Sequence, residues 1–354
     1  MLRAYDFSKY KGAGSMSWTN SLNQKENEIA KRLVSRLQMQ FQAETADPAA
    51  AQTVSDPSGK SCGSCACTVC GSDHTEVFFQ KWGVVYYRCQ SCGSIYVKAG
   101  QEILDTYKKD EELIRLRTSK EYQEEESRNR AIVWEELVDW VKFRSFRYIG
   151  KNRNLKVIDY GNRYKGLADK LLASGMCREY ELRDSILSVD QGTRIEKADI
   201  VLYFNQLQQS LHPLEDLKEA YEALQDHGLL FFSTRIGTGF DILTLRAEAK
   251  IFPYEHVLLP SYEGLQKMLK ETGFQMLEYS TPGRKDMEYV CEHKESIDPG
   301  NIFLRHMVEH GDETTFSDFQ RFLQKSGLSS HAQIVAKKES KRFTQTVKQQ
   351  ERGE

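Results

Sequence analysis

Apolar positions along the chain fall into two regimes, and the change comes near residue 155. Before it they recur at helical spacing. Ile29, Leu33, Leu37 and Phe41 stand four apart among lysines and arginines, which puts one apolar stripe on a packing helix over 24–42. Residues 101–131 are densely charged and read as helix. Val133, Leu137, Trp140 and Val141 then form a second stripe, which predicts a helix docked against the next domain. After residue 155, short apolar runs alternate with amphipathic segments, the pattern of βαβ units and a mostly parallel sheet. Strands are predicted over 156–160, 180–183, 199–204, 229–233, 274–279 and 333–336. Leu167, Leu171 and Leu172 mark one intervening helix, and Leu214, Leu217, Tyr221 and Leu224 another that stops at Gly228. A third runs from Ser261, an N-cap after Pro260, to Gly273. Helices near 302–308 and 316–323 precede the last strand.

Between 43 and 60 the chain is Ala, Asp, Pro, Ser and Gly, with almost nothing apolar to offset the entropy of ordering, so it reads as a flexible linker. The resulting partition is an N-terminal helix and linker (1–60), a cysteine-rich module (61–98), a helical connector (99–150), a large α/β domain (151–338) and a charged, disordered tail (339–354). With 49 basic against 51 acidic residues there is no global field to hold a polyanion or an anionic membrane. No apolar run approaches the roughly 20 residues that span a bilayer. Arg3, Asp6, Lys9 and Lys11 are followed by no apolar stretch of signal-peptide type, and a cytoplasmic protein is expected.

Six of the eight cysteines lie between Cys62 and Cys92, a clustering that points to metal rather than to a spread disulfide framework. Cys67-Thr-Val-Cys70 and Cys89-Gln-Ser-Cys92 are two CxxC pairs, each followed by glycine (Gly71, Gly93). A CxxC turn points two thiolates at one tetrahedral ion, and glycine permits the sharp turn beneath it. With a hairpin between them, 77–80 and 84–88 around Trp82-Gly83, they read as a zinc ribbon with a structural Zn on Cys67, Cys70, Cys89 and Cys92. Cys62 and Cys65 form a further CxxC, and spacing alone leaves open whether either joins the site. Lone Cys177 and Cys291 read as buried apolar side chains.

The first long strand ends Val157-Ile158-Asp159-Tyr160-Gly161, and Asp184 closes the second. Ala198-Asp-Ile-Val-Leu-Tyr-Phe-Asn205, Pro213, the helix after it, and His227-Gly228-Leu-Leu-Phe-Phe-Ser-Thr234 resemble the fourth strand, following helix and fifth strand of class I S-adenosylmethionine-dependent methyltransferases. Tyr254-Glu255-His256, Pro260-Ser261 and Thr272-Gly273-Phe274 resemble the corresponding segment of zinc-module methyltransferases from bacterial sugar and surface-polysaccharide pathways. The resemblance covers roughly residues 67–337. It implies a Rossmann-like, doubly wound α/β sheet, mostly parallel with an antiparallel last strand, behind a four-cysteine ribbon and a helical segment. It also implies S-adenosylmethionine bound by Asp159, Gly161, Gly166, Asp184 and Asn205, His256 as general base with Tyr254 and Glu255 orienting it, and a small-molecule acceptor such as a nucleotide-linked sugar.

The chain departs from the family in three places. Asn162, Arg163, Tyr164 and Lys165 crowd the glycine turn, Gln208 and Gln209 stand where an acidic-His pair is common, and 185–197 is too short for the usual helix and third strand. These keep a second reading open, a catalytically degenerate scaffold or binding module. A third, nucleic-acid reading by the ribbon, has only Lys81 and Arg88 for it. Gly237-Thr-Gly239-Phe-Asp241 is either a substrate loop or a tight turn.

Overall fold

The computed structural model describes residues 66–98, 109–150, 154–161, 165–183 and 196–339, with isolated helical positions at 25, 28, 29, 31–33 and 105. The linker at 43–60, Cys62, Cys65, the turn residues 162–164, Asp184 and the tail after 339 lie outside the described residues. In chain order the strands are β1 (Thr75–Lys81), β2 (Val84–Cys89), β3 (Ile95–Val97), β4 (Leu155–Tyr160), β5 (Cys177–Arg183), β6 (Ala198–Phe204), β7 (Leu224–Arg235), β8 (Leu258–Leu259), β9 (Phe274–Ser280) and β10 (His331–Lys338). The helices are α1 (Glu111–Thr118), α2 (Lys120–Tyr148), α3 (Lys165–Ala173), α4 (Pro213–Ala223), α5 (Phe240–Leu245), α6 (Tyr262–Glu271), α7 (Asp286–Glu292), α8 (Ile302–His310) and α9 (Glu313–Lys325).

Six strands form the main sheet in the order β5-β4-β6-β7-β10-β9. β5, β4, β6 and β7 are parallel, and β10 runs antiparallel between β7 and β9. This is the expected fold class. All six residues of β4 are buried, as a central strand covered on both faces requires. One face is covered by Leu137, Trp140 and Val141 of α2 with Leu167 and Leu171 of α3. There Trp140 sets its edge against Phe231 at 5.2 Å. Leu217, Ala220 and Tyr221 of α4 and Leu265, Met268 and Leu269 of α6 cover the other face.

Several boundaries differ from the sequence reading. The charged segment and the second stripe belong to α1 and one 29-residue α2, parted at Ser119. Its extended backbone ends α1 while its hydroxyl accepts from Tyr122 N–H to start α2. α4 stops at Ala223, not Gly228, because Leu224 already pairs with Ala198. A bulge follows in β7, with His227 at φ 68°, before Leu229 re-enters the ladder opposite Ile200. Ile29 and Leu33 of the first stripe are buried with Leu113 and Tyr254.

A second sheet, β1-β2-β3-β8, carries the ribbon. Trp82 (φ 51°) and Gly83 (φ 80°) close its hairpin with two left-handed residues, the geometry that suits the twist of the strands. β3 and β8 pair directly, so β1–β3 are hydrogen-bonded to the chain between β7 and β9. Its Phe79, Tyr86, Ile95 and Val97 share an apolar cluster with Ile242, Val257, Met287 and Leu304.

Candidate active site and metal centre

Cys67, Cys70, Cys89 and Cys92 place their Sγ atoms within 4.8 Å of one another, the one such ligand cluster among the described residues. Cys67 to Cys92 is 3.8 Å and Cys70 to Cys89 is 3.6 Å. A tetrahedral zinc with bonds of about 2.3 Å needs sulfurs about 3.8 Å apart, so the set fits that ion. The two knuckles are built alike. Gly71 N–H donates to Cys67 O and Gly93 N–H to Cys89 O, both at 2.8 Å, and the glycines sit at φ 70° and 73°. Cys67 N–H and Cys89 N–H donate to Ser72 O and Ser94 O at 2.9 Å. The hydrogen bond shared with Cys67 lowers the Cys92 thiol and raises that of Cys67, so of this buried pair Cys92 is the one that ionises more readily.

The second site follows from topology. The chain passes from β4 to β5 on one side and then to β6 on the other, so the crevice at the carboxyl ends of β4 and β6 is the switch point at which doubly wound sheets bind ligands. Gly161 stands at the end of β4, at φ 104°, where an L side chain is strained. Any Cβ there would run into Gln206, whose side chain lies against the bare Cα. Asn205 directly follows β6 at φ 55°, its side-chain oxygen accepting from Ser233 Oγ at 3.2 Å. Asp159, two residues before Gly161, is 2% exposed and accepts from Tyr180 Oη at 2.7 Å. Burial pushes its carboxyl up to about 7, against the pull of that hydrogen bond. Gly166 falls in the first turn of α3. Gly161 and Asn205 are thus brought together, Asp159 lies beneath them, and Asp184 lies outside the described residues.

The 252–257 segment reaches the same edge, where Val257 N–H donates to Gln208 O at 2.9 Å. Gln208 is buried, and its Oε1 accepts from Arg235 N–H at 2.9 Å, which ties the turn after β6 to the end of β7. His256 is 5% exposed, and its carbonyl accepts from Tyr86 Oη at 2.9 Å. Its Nδ1 is 3.0 Å from Phe252 N and 3.3 Å from Phe252 O, so one tautomer accepts from the former and the other donates to the latter. Tyr254 is buried and stacks on Phe252 (5.5 Å, 14°) and Trp82 (6.1 Å). Glu255 pairs with Arg117 of α1 at 3.4 Å.

Neither a protein-family model nor a curated protein sequence matches the chain. Among solved structures it is similar to a SAM-dependent methyltransferase from Archaeoglobus fulgidus, at 15% identity over 57% of this chain and 94% of that one, with a TM-score of 0.36. Haemonchus contortus phosphoethanolamine N-methyltransferase 2, in complex with phosphomonomethylethanolamine and S-adenosylhomocysteine, is similar at 14% identity over 55% of this chain and 51% of that one, with a TM-score of 0.38. The [4+2]-cyclase SpnF is similar at 14% identity over 58% of this chain and 80% of that one, with a TM-score of 0.34. At such values the likenesses carry no statement about chemistry.

Two residues of the crevice were not picked out from the sequence. Gln206 follows a strand end without any motif. Tyr180 begins a predicted strand and shows its role only when β5 lies beside β4. Lone Cys177 is buried and Cys291 half-buried, in keeping with their apolar reading.

Proposed function

We propose that the chain transfers a methyl group from S-adenosylmethionine to a small polar acceptor, with zinc on Cys67, Cys70, Cys89 and Cys92 holding the ribbon. The observation that carries this is the left-handed, side-chain-free Gly161 facing the Asn205-Gln206 turn across the switch point of a parallel sheet. Asp159, Gly161, Gly166, Asp184 and Asn205 would line the cofactor, which brings an electrophilic methyl group on a sulfonium. Gln206 must turn off Gly161 to admit it. In-line displacement asks the protein chiefly to align the reactants and exclude water. His256 is the proposed base. For Nε2 to be the basic nitrogen, Nδ1 must give up the Phe252 N–H it accepts at 3.0 Å and donate instead to Phe252 O at 3.3 Å. Tyr254 and Glu255 would fix that segment through the aromatic stack and Arg117. The sequence resemblance supports a nucleotide-linked sugar or polysaccharide precursor as acceptor.

Isothermal titration with S-adenosylmethionine tests the reading. Saturable micromolar binding that is lost in Asp184→Ala is expected. No heat at millimolar cofactor would leave the α/β domain as a scaffold. In an enzyme that binds cofactor, His256→Gln should lower kcat by at least the roughly hundredfold typical of a general base while sparing cofactor affinity.

A further inference from the structure

A cluster of charge at the same edge of the sheet plays no part in the proposed cofactor site. Arg235, the last residue of β7, lies opposite His331, the first of β10. Its Nη2 donates to Asp241 Oδ2 at 2.6 Å and to Ser330 Oγ at 3.3 Å. An Arg–carboxylate pair is often bidentate, but here only one arm is used. Arg235 Nε and Asp241 Oδ1 are both buried and without a hydrogen-bond partner. Leaving a buried donor and acceptor unmet is costly unless something else meets them.

Two further cations join from other parts of the chain. Lys81, at the end of β1, donates to Ala249 O at 2.6 Å, and Lys250 is the next residue along. Burial and the neighbouring Arg235 disfavour the charged forms of both lysines, with Lys81 pushed down to about 8. Asp241 and Glu248 face Lys81, while Lys285, Glu292 and Asp241 face Lys250. Glu248 and Glu292 are exposed, so solvent weakens their compensation. Asp286 nearby is taken up by Ser329, Ser330 and Gln320. His331 is held down at about 4 by burial and Arg235, and is neutral at pH 7. The Gly237–Asp241 turn is therefore no mere connector: Gly239 packs against Ser330 and delivers Asp241 to Arg235.

We propose that Lys81, Arg235 and Lys250 bind the anionic group, carboxylate or phosphate monoester, of a small molecule whose hydroxyl or amine donates to Asp241 Oδ1. Arg235 Nε donates to the anion, and the two ammonium groups supply the field. That this molecule is the methyl acceptor rests on the methyltransferase reading, because Gln208 links the cluster to the crevice through Arg235 N–H. The anion site itself does not.

The test titrates the full chain with inorganic phosphate and, separately, with acetate. Saturation by phosphate alone assigns a phosphate ester, by acetate alone a carboxylate, and by both an anionic group at large. In each case Lys81→Gln and Lys250→Gln should weaken binding about tenfold each, with cofactor affinity unchanged. Binding should also fade as pH rises past 8. Arg235→Gln strips Asp241 of its partner and is expected to be unstable, so the lysine variants decide. No saturation by either anion, or binding indifferent to both lysines, overturns the proposal. Lysine-dependent phosphate binding in a protein that takes no S-adenosylmethionine keeps the anion site and ends the methyl-transfer reading. Cofactor binding without anion binding does the reverse.

Discussion

Asp159→Asn isolates one buried titration beneath the proposed cofactor crevice. The carboxyl moves from 3.8 to about 7, chiefly by burial. In the unfolded chain the group ionises near pH 4, whereas in the native protein it keeps its proton until about pH 7. Between those values the unfolded state gains from ionisation and the native state does not. Native stability is therefore lost as pH rises from 4 to 7, by at most about 1.4 kcal/mol per unit, and the loss is constant above that. Three units set a ceiling of about 4 kcal/mol. Asparagine is isosteric, stays neutral, and still accepts from Tyr180. The variant should be close to wild type at pH 4.5 and more stable by about 2–4 kcal/mol at pH 8. Urea unfolding at half-unit intervals measures the difference. A difference that stays flat from pH 5 to 8, or a variant less stable at pH 8, would refute the argument. The same titration couples to ligand. A sulfonium cation nearby favours the carboxylate, so cofactor affinity should rise through pH 7 in wild type and lose that dependence in the variant.

Two more outcomes rest on particular contacts. Cys89→Ser should release zinc, read by metal content after gel filtration, and unfold the ribbon; full zinc retention would move the ion to another ligand set. Gly161→Ala forces a side chain into φ 104° and against Gln206. It should cost about 1–3 kcal/mol in melting experiments and weaken cofactor binding at least tenfold, so wild-type affinity would show that the crevice is not the site.

The parallel sheet was legible because β6 and β7 carry continuous apolar runs, as strands buried on both faces do. The knuckles were legible because CxxC-Gly spacing is itself the geometry. β3 and β8 were not, since three and two residues are too short for any periodicity. Leu224 misled because it sits three residues after Tyr221 as a helical neighbour would, while its partner is Ala198 across the sheet. The anion cluster draws Lys81, Arg235 and Lys250 from three segments, and no local pattern could have gathered them.

The ribbon bears on the site through Ser94 and Ser261. Ser261 N–H donates to the Ser94 hydroxyl at 3.1 Å, and its own hydroxyl donates to Cys92 O while accepting from Gly264 N–H at 2.9 Å to cap α6. A side chain at Gly264 would strike Ser94 and Val69, so α6 begins flush against the knuckle. Ser261 follows Pro260, whose carbonyl accepts from Gly237 N–H, and β8 lies just before it. One serine therefore connects the carbonyl of a proposed metal ligand, a helix start and the segment that carries His256. Zinc on the knuckles would stiffen that whole path, and its removal should speed amide exchange at 257–264 as well as at 67–97. Exchange confined to 67–97 would show that the Ser94–Ser261 link does not carry the effect of the metal to the helix start.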